Sequence, residues 1–140
     1  MSQLIFKFPF KATYYENDFY VSSNNFEAYK LVESWPKWPG KLVNIFGPNG
    51  CGKTHLSNIL QKKMNTLFIE ACNFNNDSLE KFKSKECLII DNYNNNIDEK
   101  LLYSSLNQVY QTNKYIVINS LFSIKSSKVS LKDLQSRFES

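Results

Sequence analysis

The sequence predicts an α/β protein: a parallel β-sheet covered on both faces by helices and organised around a phosphate-binding loop. Two observations carry this. Short apolar runs alternate with longer stretches whose apolar residues recur at helical spacing, the pattern of successive β–α–β units. One junction, "GPNGCGKT" at 47–54, is a glycine-rich turn set between an apolar run and an amphipathic stretch.

Taken in order, residues 1–17 read as an extended tail, and 18–140 as one nucleotide-binding domain. "SSNNFEAYKLVESW" offers polar caps followed by Phe26, Tyr29, Leu31, Val32 and Trp35, a helix of about three turns. "PKWPG" breaks it. "KLVNIF" is apolar without strict alternation, as in a strand buried on both faces. The glycine loop leads into the helix "KTHLSNILQKK". "TLFIEA" predicts a second strand, "NDSLEKFKS" a short helix and "ECLIID" a third strand. "DNYNNNIDE" reads as a loop. Leu101, Leu102, Leu106, Val109 and Tyr110 then recur at helical intervals, "KYIVIN" forms a fourth strand, and "SLKDLQSRF" opens another helix.

Composition bounds the rest. A chain of 140 residues is one domain, and 42% hydrophobic residues place it among globular proteins. The net charge of +4 permits a nucleic acid or an acidic partner without calling for one. Cys51, Cys72 and Cys87 are odd in number and lack C-x-x-C spacing, which argues against a disulfide framework or a zinc site and for a reducing, cytoplasmic setting. Lys7 and Lys11 interrupt the apolar N-terminus, which has no small-residue cleavage site, so no signal peptide is expected. No run reaches the ~18 apolar residues of a membrane span. Of the 17 basic residues Arg137 alone is arginine.

The loop carries the chemistry. Gly47, Lys53 and Thr54, with Gly52, match G-x-x-x-x-G-K-[ST]; Pro48, Asn49, Gly50 and Cys51 fill the turn. Its glycines allow backbone N–H groups to converge on phosphate oxygens, and the helix N-terminus adds partial positive charge. Lys53 supplies a point charge for the β and γ phosphates, and Thr54 a hydroxyl for Mg²⁺. His55, the sole histidine, follows in the loop helix; it is counted with the nucleotide-binding loop and reads as packing rather than catalysis. Asp91 ends the third strand after "LII" and is the second Mg²⁺ candidate, acting through water. Hydrolytic relatives usually carry Glu or Asp at the next position. Asn92 stands there and cannot take a proton, so binding without efficient hydrolysis is expected. Asn119, at the end of the fourth strand, is either a γ-phosphate sensor or a strand cap.

With these residues in place, the chain resembles the AAA+ domain of the DnaA family of bacterial replication initiators, and most of all its regulatory Hda/HdaA branch of alphaproteobacterial type. "DFYVSSNN", "WPKWPG", "GPNGCGKTHL", "LIIDN" and "DLQSRF" carry the resemblance in the family's order. It implies a parallel sheet of order 5-1-4-3-2, counted from "KLVNIF", with the fifth strand and a helical lid falling beyond Ser140. It implies ADP or ATP with Mg²⁺, and places Asp18, Phe19, Tyr20 and Val21 near the adenine; packing beneath the first helix is the other reading of Phe19 and Val21. It also implies that "QLIFKF", with Gln3, Leu4, Phe6 and Phe8, binds the DNA polymerase sliding clamp as a peptide in a groove. Arg137 becomes an arginine finger acting in trans, alone because Asp133 stands where initiators carry a further arginine. The implied function is a replication regulator that stimulates hydrolysis by ATP-bound DnaA and so prevents re-initiation. It would contact DNA only through the clamp, and could form homo-oligomers. The alternatives are an autonomous P-loop ATPase or kinase and a helicase-loader type of AAA+ protein.

Overall fold

The computed structural model describes residues 19–22, 26–35, 38, 40–48 and 52–139. The tail with Gln3, Leu4, Phe6 and Phe8 lies outside them, as do Asp18 and the loop residues Asn49, Gly50 and Cys51.

Five strands, β1 (Phe19–Ser22), β2 (Leu42–Phe46), β3 (Thr66–Glu70), β4 (Cys87–Tyr93) and β5 (Tyr115–Ser120), form one sheet in the order β1-β2-β5-β4-β3. Every pairing is parallel. The helices are α1 (Phe26–Glu33), α2 (Lys53–Lys63), α3 (Asn76–Phe82), α4 (Glu99–Thr112) and α5 (Lys132–Glu139). The four strands from β2 to β3 stand in the expected order.

Two features depart from the sequence reading. Residues 19–22 form a strand beside β2, at the edge where the fifth strand of the expected order falls. "FYVS" is too short to show a period. What fixes it is the open edge of β2, whose N–H and C=O groups need partners. The third strand also runs past Asp91 to Tyr93, into the segment read as a loop. A register irregularity between Ile90 and Tyr93 accommodates the extension, and Asn92 there takes a left-handed conformation with φ 56°. Asparagine tolerates that region better than most side chains.

The core has two layers, one on each face of the sheet. Leu56 and Leu60 of α2 and Leu31 and Val32 of α1 pack against Val43, Ile45, Ile89 and Val117. Phe82 of α3, Leu102 and Leu106 of α4, and Leu134 and Phe138 of α5 pack on the other face against Leu42, Leu88, Ile90, Ile116 and Ile118. The near-continuous burial of β2, β4 and β5 follows from this double cover, whereas the edge strand β3 is half-buried along its length. Helix α4 starts on the Asp98 carboxylate, which accepts from Leu101 N at 3.1 Å, and stops at Asn113 in the left-handed region.

The "WPKWPG" run serves the fold. Trp38 Nε1 donates to Leu31 O at 2.8 Å, and Trp35, Trp38 and Tyr115 meet edge to face with centroids 4.7–5.6 Å apart. Tyr115 begins β5, so this aromatic cluster closes the end of the sheet remote from the glycine loop.

Asn44, fully buried in β2, holds the other end. Its Nδ2 donates to Ile118 O (2.8 Å) and Ser120 Oγ (3.0 Å), and its Oδ1 accepts from Ile124 N (3.0 Å). Replacing it with leucine strands Ile124 N–H in the interior. Asn44→Leu is therefore expected to lower stability by about 2–4 kcal/mol in urea unfolding, against a change within about 0.5 kcal/mol for the exposed Asn58→Ala control.

Candidate nucleotide-binding site

The C-terminal ends of β2, β5 and β4 lie side by side, and Gly47, Asp91 and Asn119 stand there with Lys53 close by. Phe46 and Ser120 are register partners, so β2 and β5 end together. Gly47 leaves β2 with φ 153° and its N–H donates to Ser120 O at 3.0 Å. Gly52 enters α2 at φ 104°, a backbone angle that disfavours any Cβ even though the space there is open. Among the described residues no side chain caps α2, and no acidic residue occupies its first turn. Its leading N–H groups and dipole thereby suit an anion.

Lys53 is 8% exposed, and its Nζ donates to Gly47 O at 2.5 Å and to Ser120 O at 3.2 Å. The ammonium is thus already drawn across the loop mouth. Pro48, Thr54 and His55 are exposed. His55 therefore does not pack into the core as the sequence reading has it: position 55 falls on the outer side of α2, whose inner side carries Leu56, Ser57 and Leu60.

Across β5, Asp91 is half-buried and its Oδ1 accepts from Asn119 Nδ2 at 3.1 Å. Asn119 Nδ2 also donates to Ser57 Oγ at 2.9 Å, one helical turn beyond Lys53. Asn119 is fully buried, and its Oδ1 has no partner among the described residues. A buried carbonyl oxygen in that condition calls for a donor from water or ligand. Asn119 thus bridges the acidic strand end to the loop helix, whichever of its two roles it serves.

Asn92 turns the other way. From its left-handed backbone it donates through Nδ2 to Glu70 Oε1 at 2.8 Å, away from the Asp91–Asn119 pair. Tyr93, next along, is buried with its ring edge-on to Phe138 at 6.4 Å. Burial, with the Glu99 carboxylate second, pushes its phenol up to about 12. It stays neutral and packs. Phe19, Tyr20 and Val21 contribute backbone to β1, whose last residue, Ser22, pairs with Phe46 at the loop edge.

Thr54 and Asp91 suit Mg²⁺, which binds through one or two protein oxygens and completes its octahedron with water and substrate phosphates. Among the described residues no group of three or more His, Cys, Asp or Glu could hold a metal by itself.

Arg137 is elsewhere. Its guanidinium carbon lies 3.8 Å above the centre of the Tyr110 ring, on the α4–α5 side of the sheet, whereas α2 covers the opposite face. Helix α4 begins near the site edge, and Tyr110 is about 16 Å further down its axis. The structure joins the loop, Lys53, Asp91 and Asn119, and separates Arg137 from them.

The sequence reading passed over Asn44, Ser57, Glu70 and Ser120. Ser57 could have been found by its i+4 spacing from Lys53. Glu70 carries no local signal, because its place depends on which strand pairs with β4.

The profile of the family described as RNA helicase matches residues 43–130, from β2 through the loop after β5, well over half of the chain. The chain belongs to this family. The matched span of this RNA helicase family member includes every loop and acidic residue placed above. No curated protein sequence matches it significantly. Among solved structures, AMPPCP-bound DnaA from Aquifex aeolicus superposes with TM-score 0.59 at 21% identity, over 81% of this chain and 42% of that one. A crystal structure of a DNA replication initiation factor gives 0.59 at 20% identity, over 83% and 41%. The solution structure of protein NMB1076 from Neisseria meningitidis gives 0.52 at 23%, over 71% and 70%. These likenesses establish a shared P-loop α/β fold of DnaA type. The chain spans about two fifths of the length of the two replication-factor structures.

The Asp91–Asn119 contact generates a test. Asn119→Asp replaces a donor with a second carboxylate about 3 Å from Asp91, in a buried place. Two such groups cannot both ionise, so one has its folded pKa raised above its unfolded value. The native state is then penalised at neutral pH, by about 2–4 kcal/mol, and recovers as acid supplies the shared proton. Urea unfolding at pH 7 and pH 5 should show the variant's deficit shrinking at the lower pH; an equal deficit at both would mean that the two side chains do not interact.

Proposed function

We propose that this protein is a nucleotide-binding regulator of replication initiation, which holds ADP or ATP with Mg²⁺ and promotes hydrolysis in a neighbouring ATP-bound initiator of DnaA type. One observation carries the reading: the single guanidinium of the chain is on the opposite face of the sheet from Lys53, roughly 16 Å along α4 from the site edge. A group so placed stands apart from its own chain's Lys53, as a group acting on a neighbour's nucleotide would. The cis site fits this division. It has a loop, Lys53 and Asn119 for phosphates and Asp91 for Mg²⁺, but Asn92 where a proton acceptor would follow Asp91. The Gln3–Phe8 segment, read as a sliding-clamp peptide, would bring the regulator to loaded DNA.

The family description favours a second reading, an NTPase driven by RNA. The two separate on turnover: the regulator hydrolyses slowly alone and is indifferent to RNA, whereas a helicase-like enzyme accelerates when single-stranded RNA is added.

Lys53→Ala should weaken binding of a fluorescent ATP analogue by about 10²-fold, as expected for the loss of a charged contact to phosphate. Arg137→Lys should leave that affinity unchanged and remove stimulation of the initiator's ATPase, because a lysine cannot reproduce the planar fork on two phosphate oxygens. Full stimulation by Arg137→Lys would sink the trans role. The double variant Gln3→Ala/Phe6→Ala should no longer be retained on immobilised sliding clamp; equal retention would remove the clamp from the proposal.

A further inference from the structure

Asn92 leaves the acidic strand without a proton acceptor, but the structure supplies a carboxylate beside it. Glu70 ends β3 as the register partner of Asp91, so the two acids stand at the same level on adjacent strands. Asn92 Nδ2 holds Glu70 Oε1 at 2.8 Å. The bulge and the left-handed backbone at Asn92 turn that amide toward β3. Among the described residues, Asp91 and Glu70 are the two carboxylates at C-terminal strand ends. The nearby acids are committed elsewhere: Asp98 caps Leu101 N, and Glu99 accepts from Ser130 N and Leu131 N.

We propose that Glu70 is the proton acceptor for hydrolysis of the nucleotide bound in this chain, oriented by Asn92. A carboxylate offers about four lone-pair directions and Asn92 takes one. In the proposed step a water oxygen forms a bond to the γ-phosphorus, the bond from that phosphorus to the β–γ bridging oxygen breaks, and the electron pair leaves with ADP. The water proton passes to the Glu70 carboxylate and on to solvent, leaving inorganic phosphate. Asp91 and Thr54 remain with Mg²⁺, and Lys53 with the phosphates. Because Glu70 stands one strand further out than an acid at position 92 would, the turnover it supports is slow. That agrees with a chain whose main role is to hold nucleotide.

This inference rests on the nucleotide-binding part of the reading above and not on Arg137 or the clamp. The test is single-turnover hydrolysis of ATP with Mg²⁺ by the full chain in excess, beside the affinity for a non-hydrolysable ATP analogue. Wild type should hydrolyse slowly. Glu70→Gln should lower its rate by about 10²-fold, the lower range for loss of a general base, with affinity unchanged. Glu70→Gln/Asn92→Asp, which returns a carboxylate to the strand of Asp91, should restore turnover, and aspartate accepts the left-handed backbone. The proposal is overturned if wild type binds the analogue but shows no turnover, if Glu70→Gln turns over at the wild-type rate, or if its affinity falls in step with its rate. Failure of wild type to bind the analogue at all would overturn the nucleotide-binding reading, and this inference with it.

Discussion

One carbonyl oxygen organises the site. Ser120 O, at the end of β5, accepts from both Gly47 N and Lys53 Nζ, so the loop's first residue and its lysine are fixed against the same atom. That atom stays in place because the Ser120 side chain is itself held, accepting from Asn44 and donating to Phe122 O at 2.6 Å. The chain from Asn44 through Ser120 to Lys53 is buried and polar, a combination that weakens a fold unless every partner is present. A phosphate entering the mouth would take over the lysine's contacts with the two carbonyls, replacing dipoles with charge. These two carbonyls keep the buried ammonium paired.

Much of this fold was legible because its signals are local. Alternating apolar runs and helical spacings fix β2 to β5 and the helices between them, and the glycine pattern fixes the strand-loop-helix turn. The parts that were not legible depend on neighbours distant in sequence. "FYVS" has no period to read and becomes a strand because β2 has an open edge. The acidic strand runs on through Asn92 because a bulge absorbs the misfit with β5. His55 was read as core when its helix phase, measured from Leu56 and Leu60, turns it outward.

The site divided along the same line. Lys53, Thr54 and Asp91 could be picked out from residue type and position, since strand ends and loop spacing determine them. The hydrogen-bonded links could not. Ser57, Asn119 and Asp91 meet only because α2, β5 and β4 are brought together by a strand order that skips across the sequence. Trp35 and Trp38 illustrate the converse: their run reads as a helix breaker, yet the two rings pack at the far end of the sheet, on Tyr115.

Lys53 and Arg137 lie on opposite sides of the sheet. Lys53 and the N-terminus of α2 serve one edge, on the α1–α2 face; Arg137 lies on the α4–α5 face, stacked on Tyr110. A guanidinium resting on an aromatic face uses that face of its plane for the contact, while its N–H donors lie in the plane. The stack therefore constrains the direction of the fork. Short α5 could not hold a long side chain in one direction by itself; Leu134 and Phe138 anchor the helix in the core, and Tyr110 restricts the remaining freedom. A side chain ordered in this way has less conformational entropy left to lose in any further contact. The sheet thus keeps Lys53 and Arg137 on opposite sides, each held by contacts of its own.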